Sequence, residues 1–248
     1  MKQDFSKPYS SIADIYAHLM RYIDYEDWAD YYIQIGRKYL PRNRGGRYKI
    51  LELASGMGNM AAYLKKEYPD FTASDLSADM LKHSADYLLP KVCCNMKHLP
   101  FKQEFDYIIS AFDSLNYLVS EDDITAAFRQ IHSVIAPDGL FSFDVSLELN
   151  SIRNDRHLNR KGKYEGIVYS QTSRYEKDTK LHINGFHLTY PDGSEAYEIH
   201  KQKIYPFETF FRLLSDTGFN IKYCFDAFTF DDAHPDSERI QFIATKGR

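Results

Sequence analysis

Between Tyr48 and Lys246 the sequence alternates short apolar runs with longer amphipathic stretches. This alternation is typical of β-α units assembled around a mostly parallel sheet. The chain has 248 residues, about the size at which one hydrophobic core stops growing. We therefore expect an α/β fold with one main core and helices on both faces of the sheet.

Seven apolar segments are predicted as strands of that sheet, and four amphipathic segments as helices between them. The strands are expected at residues 48–54, 71–75, 92–95, 105–112, 140–145, 220–225 and 239–245, and the helices at 59–67, from 77 onward, at 120–135 and at 206–217. Residues 10–40 form a tyrosine-rich helical preface.

The α/β rhythm breaks after the fifth strand. A polar, basic segment, residues 150–163, is predicted as a loop, and three strand-like segments follow, with the turn Pro191-Asp192-Gly193 between the last two. We expect a small antiparallel β insertion over residues 150–205. The main domain then consists of residues 1–149 and 206–248, with residues 1–40 as a helical lid.

Composition excludes several classes of protein. Lys plus Arg number 31 against 35 Asp plus Glu, a net charge of −4, which is not the basic field of a nucleic-acid binder. Three cysteines are too few for a disulfide scaffold, and buried packing is the expected role of Cys93 and Cys94. No apolar run approaches the roughly 18 residues of a membrane span, and the N-terminus lacks a signal peptide's apolar core. The histidines and cysteines lack the spacing of metal ligands. We expect a cytoplasmic protein without membrane contact or metal.

The segment from Ile50 to Leu64 carries the strongest functional signal. A strand runs into the small residues Ala54, Gly56 and Gly58 and then into a helix, an arrangement that lets a ligand approach the backbone. Asp75 ends the second strand, where a carboxylate can accept hydrogen bonds from both hydroxyls of a ribose. Glu52 argues against a nicotinamide dinucleotide, since it would face an anionic pyrophosphate. It favours a phosphate-free ligand that carries positive charge.

These segments resemble those of the class I S-adenosylmethionine (SAM)-dependent methyltransferases. The run from Glu52 to Gly58 is similar to the family's acid-x-Gly-x-Gly-x-Gly motif, with Ala54 in place of the first glycine, where an extra methyl fits if the local φ is negative. The run from Ser74 to Leu81 resembles the second motif. The resemblance implies a Rossmann-like fold, SAM as cofactor and S-adenosylhomocysteine as product.

The resemblance also implies cofactor contacts beyond the glycine-rich turn. Asp75 would hold the ribose, Leu76 and Met80 would flank the adenine, and Asn95 and the Met96 backbone N–H would bind the adenine edge. The strand tip Ala111-Phe112 would lie under the methionine moiety. The preface is similar to that of small-molecule methyltransferases, in which an aromatic segment closes over the cofactor. By this resemblance Tyr9, Tyr16 and Trp28 would form that lid. The alternative for Trp28 is that it only packs a helix against the core.

Catalytic residues are the least constrained part of the prediction. Tyr16 and Tyr117 are candidates, although Tyr117 is as well explained as a packed helix-entry residue. His187 and His200 lie in the insertion, where a lone strand histidine is usually a surface group. Methyl transfer needs orientation and a dry pocket more than a base.

We expect methyl transfer to a small-molecule N or O nucleophile by in-line displacement, with the insertion and the preface forming the substrate pocket and a surface for a homodimer. The alternatives are an RNA or protein methyltransferase and a SAM-binding regulatory protein without turnover. Of these, the acidic balance argues against a nucleic-acid partner.

Overall fold

The computed structural model describes residues 7–42, 45–83, 90–102 and 104–247. Seven strands form one mixed sheet in the order β3-β2-β1-β4-β5-β11-β10, in which β11 alone is antiparallel to its neighbours, β5 and β10. This confirms the predicted α/β fold with a seven-stranded sheet. The strands are β1 (Lys49–Leu53), β2 (Asp70–Asp75), β3 (Lys91–Cys93), β4 (Phe105–Ser110), β5 (Ile135–Ser146), β10 (Phe219–Asp226) and β11 (Arg239–Lys246).

Both faces of this sheet are covered by helices, so most side chains of its central strands are buried and apolar. One face packs against α5 and α7 through an aromatic core that includes Phe128, Phe143 and Phe210. The other face packs against α2 and α3 through residues such as Tyr32 and Leu64. The helices of the two faces are α2 (Tyr25–Tyr39), α3 (Ala61–Glu67), α4 (Ala78–His83), α5 (Glu121–Val134) and α7 (Phe207–Asp216).

The chain from the end of β5 to α7 forms a second, antiparallel sheet in the order β6-β7-β8-β9. Residues 150–163 were predicted as a loop, and that prediction is wrong, because they contribute to a helix and to a fourth strand. The strand is polar and basic because it lies at the edge of the sheet, where charged side chains are typical and hydrophobicity gives little signal. These elements are α6 (Glu148–Asn154), β6 (Arg160–Tyr164), β7 (Ile167–Glu176), β8 (Leu181–Thr189) and β9 (Glu195–Lys203).

The preface consists of two helices that pack against different sheets. The first helix, α1 (Ala13–Leu19), contributes Ile15 and Leu19 to a cluster with Tyr169 and Leu188 of the four-stranded sheet. The second helix, α2, begins at the N-cap Asp24, whose side chain accepts two backbone N–H bonds, and packs on the seven-stranded sheet. The preface therefore joins the two sheets.

Two further observations concern the surface. Cys93 is exposed and Cys94 is half-buried, so the prediction of buried packing is wrong for Cys93, which ends the short strand β3. Within the described ranges, no helix combines the length and the apolar character that a bilayer crossing requires.

Candidate functional site

The glycine-rich turn lies at the carboxyl end of β1, between two parallel neighbours, β2 and β4. In open α/β sheets, ligands bind in the crevice outside the carboxyl ends of the strands. The turn is anchored to β2 by two hydrogen bonds: the Ser55 N–H donates to the Ser74 carbonyl at 2.9 Å, and the Gly56 N–H donates to Asp75 Oδ2 at 2.7 Å.

Three residues of this turn have left-handed backbone conformations. Gly56 and Gly58 have φ of +56° and +72°, and Ala54 has φ of +53°. A negative φ, the condition under which the extra methyl of Ala54 would fit, is not met: the residue is left-handed although it carries a Cβ, which costs about 1–2 kcal/mol. At Gly56, a Cβ would lie 3.3 Å from Met80 Cε, so the cradle leaves little room for a larger residue.

Glu52 is a buried carboxyl group without a hydrogen-bond partner on one of its oxygens. Its side chain is 3% exposed, and Oε2 bonds to no group of the described residues. Burial, and then repulsion from Asp75, raise the pKa of Glu52 to about 8. The hydroxyl of Ser55, in the same turn, is likewise buried and unpartnered within the described ranges. Two orphaned acceptors beside a narrow glycine cradle fit a ligand that brings a cationic donor.

Asp75 lies at the end of β2, and its carboxylate organises the loop around it. Oδ2 accepts from Gly56, and Oδ1 accepts from the Ser77 N–H at 2.7 Å. Burial raises the pKa of Asp75, and these backbone bonds oppose the rise. Met80 is buried against the turn, whereas Leu76 is 69% exposed. Leu76 thus offers an uncovered apolar side chain beside the Asp75 carboxylate.

The predicted adenine-edge residues follow β3. The Cys94 N–H donates to the Asp75 carbonyl at 2.9 Å, which places this segment beside the second motif. Asn95 Oδ1 accepts from the Lys97 N–H at 2.9 Å, so the amide is oriented by its own turn, with a second lone pair available. Met96 is half-buried and packs against the core.

The end of β4 is held in an unusual backbone conformation. Ala111 is buried, and the next two residues, Phe112 and Asp113, have φ of +59° and +47°. Trp28 stacks on Phe112 with ring centroids 3.9 Å apart. The tryptophan therefore does pack α2 against the core, and the residue it packs on is the predicted methionine-site phenylalanine itself.

An ion cluster that the sequence prediction missed fixes this strand tip. The Asp113 N–H donates to Asp144 Oδ2 at 2.8 Å, and Arg239 pairs with Asp113 at 2.9 Å and with Asp144. Burial raises the pKa of Asp144, which Arg239 opposes. Asp113, Asp144 and Arg239 are too far apart in sequence to form a local motif. The only signal in the sequence was that each is a charged residue near the end of a predicted strand.

Tyrosines close the site from above. The Tyr9 carbonyl accepts from Ser77 Oγ at 2.7 Å, and the Tyr9 hydroxyl lies 2.6 Å from that of Tyr117. The Tyr16 ring contacts the Tyr9 ring edge-on at 5.7 Å. Burial raises the pKa of Tyr16 and of Tyr117, so neither phenol is ionised near neutral pH. Preface, second motif and the loop after β4 thus meet at Tyr9.

The insertion adds two residues to this cluster. His200 is 2% exposed, which overturns its prediction as a surface group; its Nδ1 lies 3.2 Å from the Tyr117 hydroxyl. Glu198, which the sequence prediction missed, is fully buried against His200 and the preface. The signal was a Glu-x-His pattern on one face of a strand. His187 lies elsewhere, 37% exposed and paired with Glu195.

No cluster of three or more metal-ligating side chains occurs in the part of the chain that the structure describes. The glycine-rich turn and its two acids, Glu52 and Asp75, lie at the carboxyl edge of the sheet, next to the aromatic side chains of the preface.

Comparisons with known proteins agree with this geometry. Residues 50–139 match a family model described as a methyltransferase domain. The methyltransferase candidate YqeM of Bacillus subtilis is 24% identical over 97% of this chain and 98% of its own length.

Two solved structures share the fold across nearly the whole chain. One is a SAM-dependent methyltransferase from Clostridium acetobutylicum, with a TM-score of 0.78, 24% identity and coverage of 98% of this chain and 100% of the other. The other is a sugar N-methyltransferase from Streptoalloteichus sp., with a TM-score of 0.76, 16% identity and coverage of 100% and 98%. Motifs and strand order agree with these comparisons: residues 50–139 match the methyltransferase-domain family, and the whole chain has the fold of the class I SAM-dependent methyltransferases.

Proposed function

We propose that this chain is a SAM-dependent methyltransferase that methylates a nitrogen or oxygen of a small molecule by in-line displacement. The observation that carries the proposal is the cover over the crevice, in which Tyr9 bonds to Ser77 on one side and to Tyr117 on the other. We call the proposed acceptor space beside Tyr9, Tyr117 and His200 the chamber. Because the chain's own preface closes it, the chamber would exclude water and the surface of a macromolecule. A small acceptor fits such a chamber better than a folded RNA or protein does.

The cofactor supplies an electrophilic methyl group, and the proposed role of the crevice is to bind and orient it. In this proposal Asp75 accepts hydrogen bonds from the ribose hydroxyls, and Glu52 offers its free Oε2 to the cationic amino group. The turn of Ala54, Gly56 and Gly58 lets the ligand approach the backbone. Five further residues line the adenine and methionine ends: Leu76, Met80, Asn95, Met96 and Ala111.

The aromatic cover has a second proposed role. The faces of Phe112, Tyr16 and Tyr9 offer the negative side of their ring quadrupoles, which favours a neighbouring cation. Trp28 stabilises Phe112 by stacking on it. The cover thus holds the reacting groups together and dry, which is the main demand of methyl transfer.

The nature of the acceptor rests on position and on relatives. Tyr117 and His200 of the chamber come from the loop after β4 and from the insertion, so residues 150–205 act in this proposal as the substrate subdomain. One structural relative is named as a sugar N-methyltransferase, which makes amino sugars the first acceptors to test. The proposed homodimer is checked separately by light scattering after size exclusion.

The test measures S-adenosylhomocysteine by mass spectrometry after incubating the purified protein with SAM and one acceptor pool at a time. The pools are amino sugars, other small amines and phenols, unmodified tRNA, and peptides. We expect product with a small-molecule pool. Product only with tRNA or peptides would overturn the proposal in favour of a macromolecular substrate. SAM binding without product in any pool would support a regulatory protein.

A further inference from the structure

A buried glutamate–histidine pair lies on β9, beside the proposed chamber. Glu198 and His200 are two residues apart on one strand, so their side chains share a face. Glu198 is fully buried and His200 is 2% exposed. Glu198 Oε2 lies 2.9 Å from His200 Nε2. A buried ionisable pair needs stabilising partners on both residues, and both have them.

Glu198 is surrounded by hydrogen-bond donors from the preface. The backbone N–H groups of Tyr9 and Ile12 donate to it at 2.8 and 3.0 Å, and that of Ser11 also donates. Burial alone would raise the pKa of Glu198, but His200 and the backbone N–H groups of Ile12 and Ser11 outweigh it and hold the pKa below its usual range. Glu198 is therefore a carboxylate, and a carboxylate at Nε2 fixes the His200 proton on that nitrogen.

The other ring nitrogen of His200 continues the hydrogen-bonded chain. With Nε2 protonated, Nδ1 carries a lone pair and accepts from the Tyr117 hydroxyl at 3.2 Å. Tyr117 then has a lone pair for the Tyr9 hydroxyl, 2.6 Å away. Every donor in the series points toward His200. The series ends at the other lone pair of the Tyr9 hydroxyl.

We propose that His200, oriented by Glu198, is the terminal proton acceptor of a relay through Tyr117 and Tyr9 that deprotonates an amine entering the chamber as an ammonium ion. The inference rests on the proposed function and narrows its acceptor to a basic amine. One ammonium proton passes to Tyr9, the Tyr9 proton to Tyr117, and the Tyr117 proton to His200 Nδ1. The amine gains a lone pair for attack, His200 becomes an imidazolium, and both phenols end neutral.

The surroundings of His200 fit a relay better than a stable tyrosinate. Burial raises the pKa of both phenols, so each hydroxyl releases one proton as it receives another. The groups that face His200 are Glu198 on its own strand, Tyr117 below, Tyr9 of the preface, and Asn184 and Phe186 of β8. Of these, only Glu198 is charged, and its negative charge stabilises an imidazolium. The charge of Asp113, in the loop after β4, also raises the pKa of both phenols.

The first experiment needs no acceptor. Long-range proton–nitrogen NMR of protein labelled with ¹⁵N-histidine reports which ring nitrogen carries the proton, and the H200N variant assigns the signal. We expect the Nε2-protonated form at neutral pH, and a shift of the Nδ1 signal in Y117F. A proton on Nδ1 would overturn the inference, because His200 would then donate to Tyr117 and could not receive.

The second experiment follows methylation of the amine that the acceptor pools identify, as a function of pH. H200N retains an acceptor near Nδ1 but cannot take up a proton. We expect it to lower kcat/KM at least roughly tenfold near pH 7, with the loss shrinking as the pH approaches the pKa of the free amine. A pH-independent loss would indicate a merely structural role and overturn the relay.

Matched controls separate the outcomes. H187N alters the exposed histidine of β8, which is also paired with a glutamate, and should match the wild-type profile. The melting temperature of H200N identifies misfolding, and in that case Y117F carries the same kinetic test. Absence of product from every small molecule would refute the proposed function, whereas the NMR result decides the relay alone.

Discussion

Asp75 raises the pKa of the Glu52 carboxyl, adding to the larger effect of burial, because the two acids lie near the carboxyl ends of neighbouring parallel strands. The two carboxyl groups differ in their partners. Asp75 accepts two backbone N–H bonds, whereas Oε2 of Glu52 accepts none within the described residues. Such an unpaired acid lowers the stability of the free protein and favours a cationic ligand.

Glu52→Gln should stabilise the free protein, increasingly as the pH rises. The pKa of Glu52 is about 8 in the folded protein against an ordinary value of 4.5, so between these values the folded state binds more protons than the unfolded state does. Wild-type stability therefore falls with rising pH in that window, by at most about 1.4 kcal/mol per pH unit from this group. Thermal unfolding at pH 5, 6.5 and 8 measures the difference. Asp178→Asn, in an exposed turn, serves as the control, and a constant difference would contradict the assignment.

SAM binding should release a proton near neutral pH. Glu52 is mostly protonated at pH 7 in the free protein, and pairing with a cationic amino group favours the carboxylate. Calorimetric titration in phosphate and in Tris should give binding heats that differ by the buffers' ionisation heats, with release approaching one proton. Affinity should increase from pH 6 to pH 8. Glu52→Gln should abolish the buffer dependence, and proton uptake by the wild type would exclude this role.

Asp75→Ala should weaken SAM binding at least roughly tenfold, about 1.4 kcal/mol. The substitution removes the proposed ribose acceptor and frees the Gly56 and Ser77 N–H groups that hold the turn. Asp75→Asn keeps one acceptor oxygen, so its loss should be smaller. Calorimetry measures both variants against Asp79→Asn, which alters an exposed acid of α4 paired with Lys82. Unchanged affinity in Asp75→Ala would remove the residue from the site.

Much of the fold could be predicted because its signals are local. Periodicity located all seven strands of the main sheet, and a capping residue located the start of α5, where Ser120 accepts from the Asp123 N–H. The edge strand Arg160–Tyr164 was not predicted, because an exposed strand needs no apolar face and so leaves no hydrophobic pattern in the sequence.

The candidate site was predictable where it consists of strand ends and glycines, and not where it consists of distant contacts. Tyr9 and Glu198 are 189 positions apart, and Asp144 and Arg239 are 95 apart. No spacing rule joins such residues before the topology is known. The left-handed φ of Ala54 is likewise a tertiary effect, since alanine itself disfavours it.

Ala54→Gly should stabilise the protein or leave its stability unchanged. Ala54 has φ of +53°, where glycine avoids a penalty of about 1–2 kcal/mol and loses about 0.5–1 kcal/mol through the greater entropy of the unfolded chain. The matched control is Ala62→Gly in α3, where the same change should cost about 1 kcal/mol. Urea unfolding of the two variants gives the comparison. A loss at residue 54 equal to that at residue 62 would argue against the left-handed conformation.

Trp28 should report cofactor binding by its fluorescence. It is the single tryptophan of the chain, it stacks on Phe112 at 3.9 Å, and the Arg239 guanidinium lies 5.4 Å from its ring. A ligand seated on the Phe112 side of this stack changes the polarity and mobility of the indole. Titration with S-adenosylhomocysteine should therefore change the emission with the dissociation constant that calorimetry gives. Phe112→Leu should reduce the change, whereas Tyr223→Ser, on an exposed tyrosine of β10, should not. Tight calorimetric binding with constant emission would place the cofactor away from Phe112.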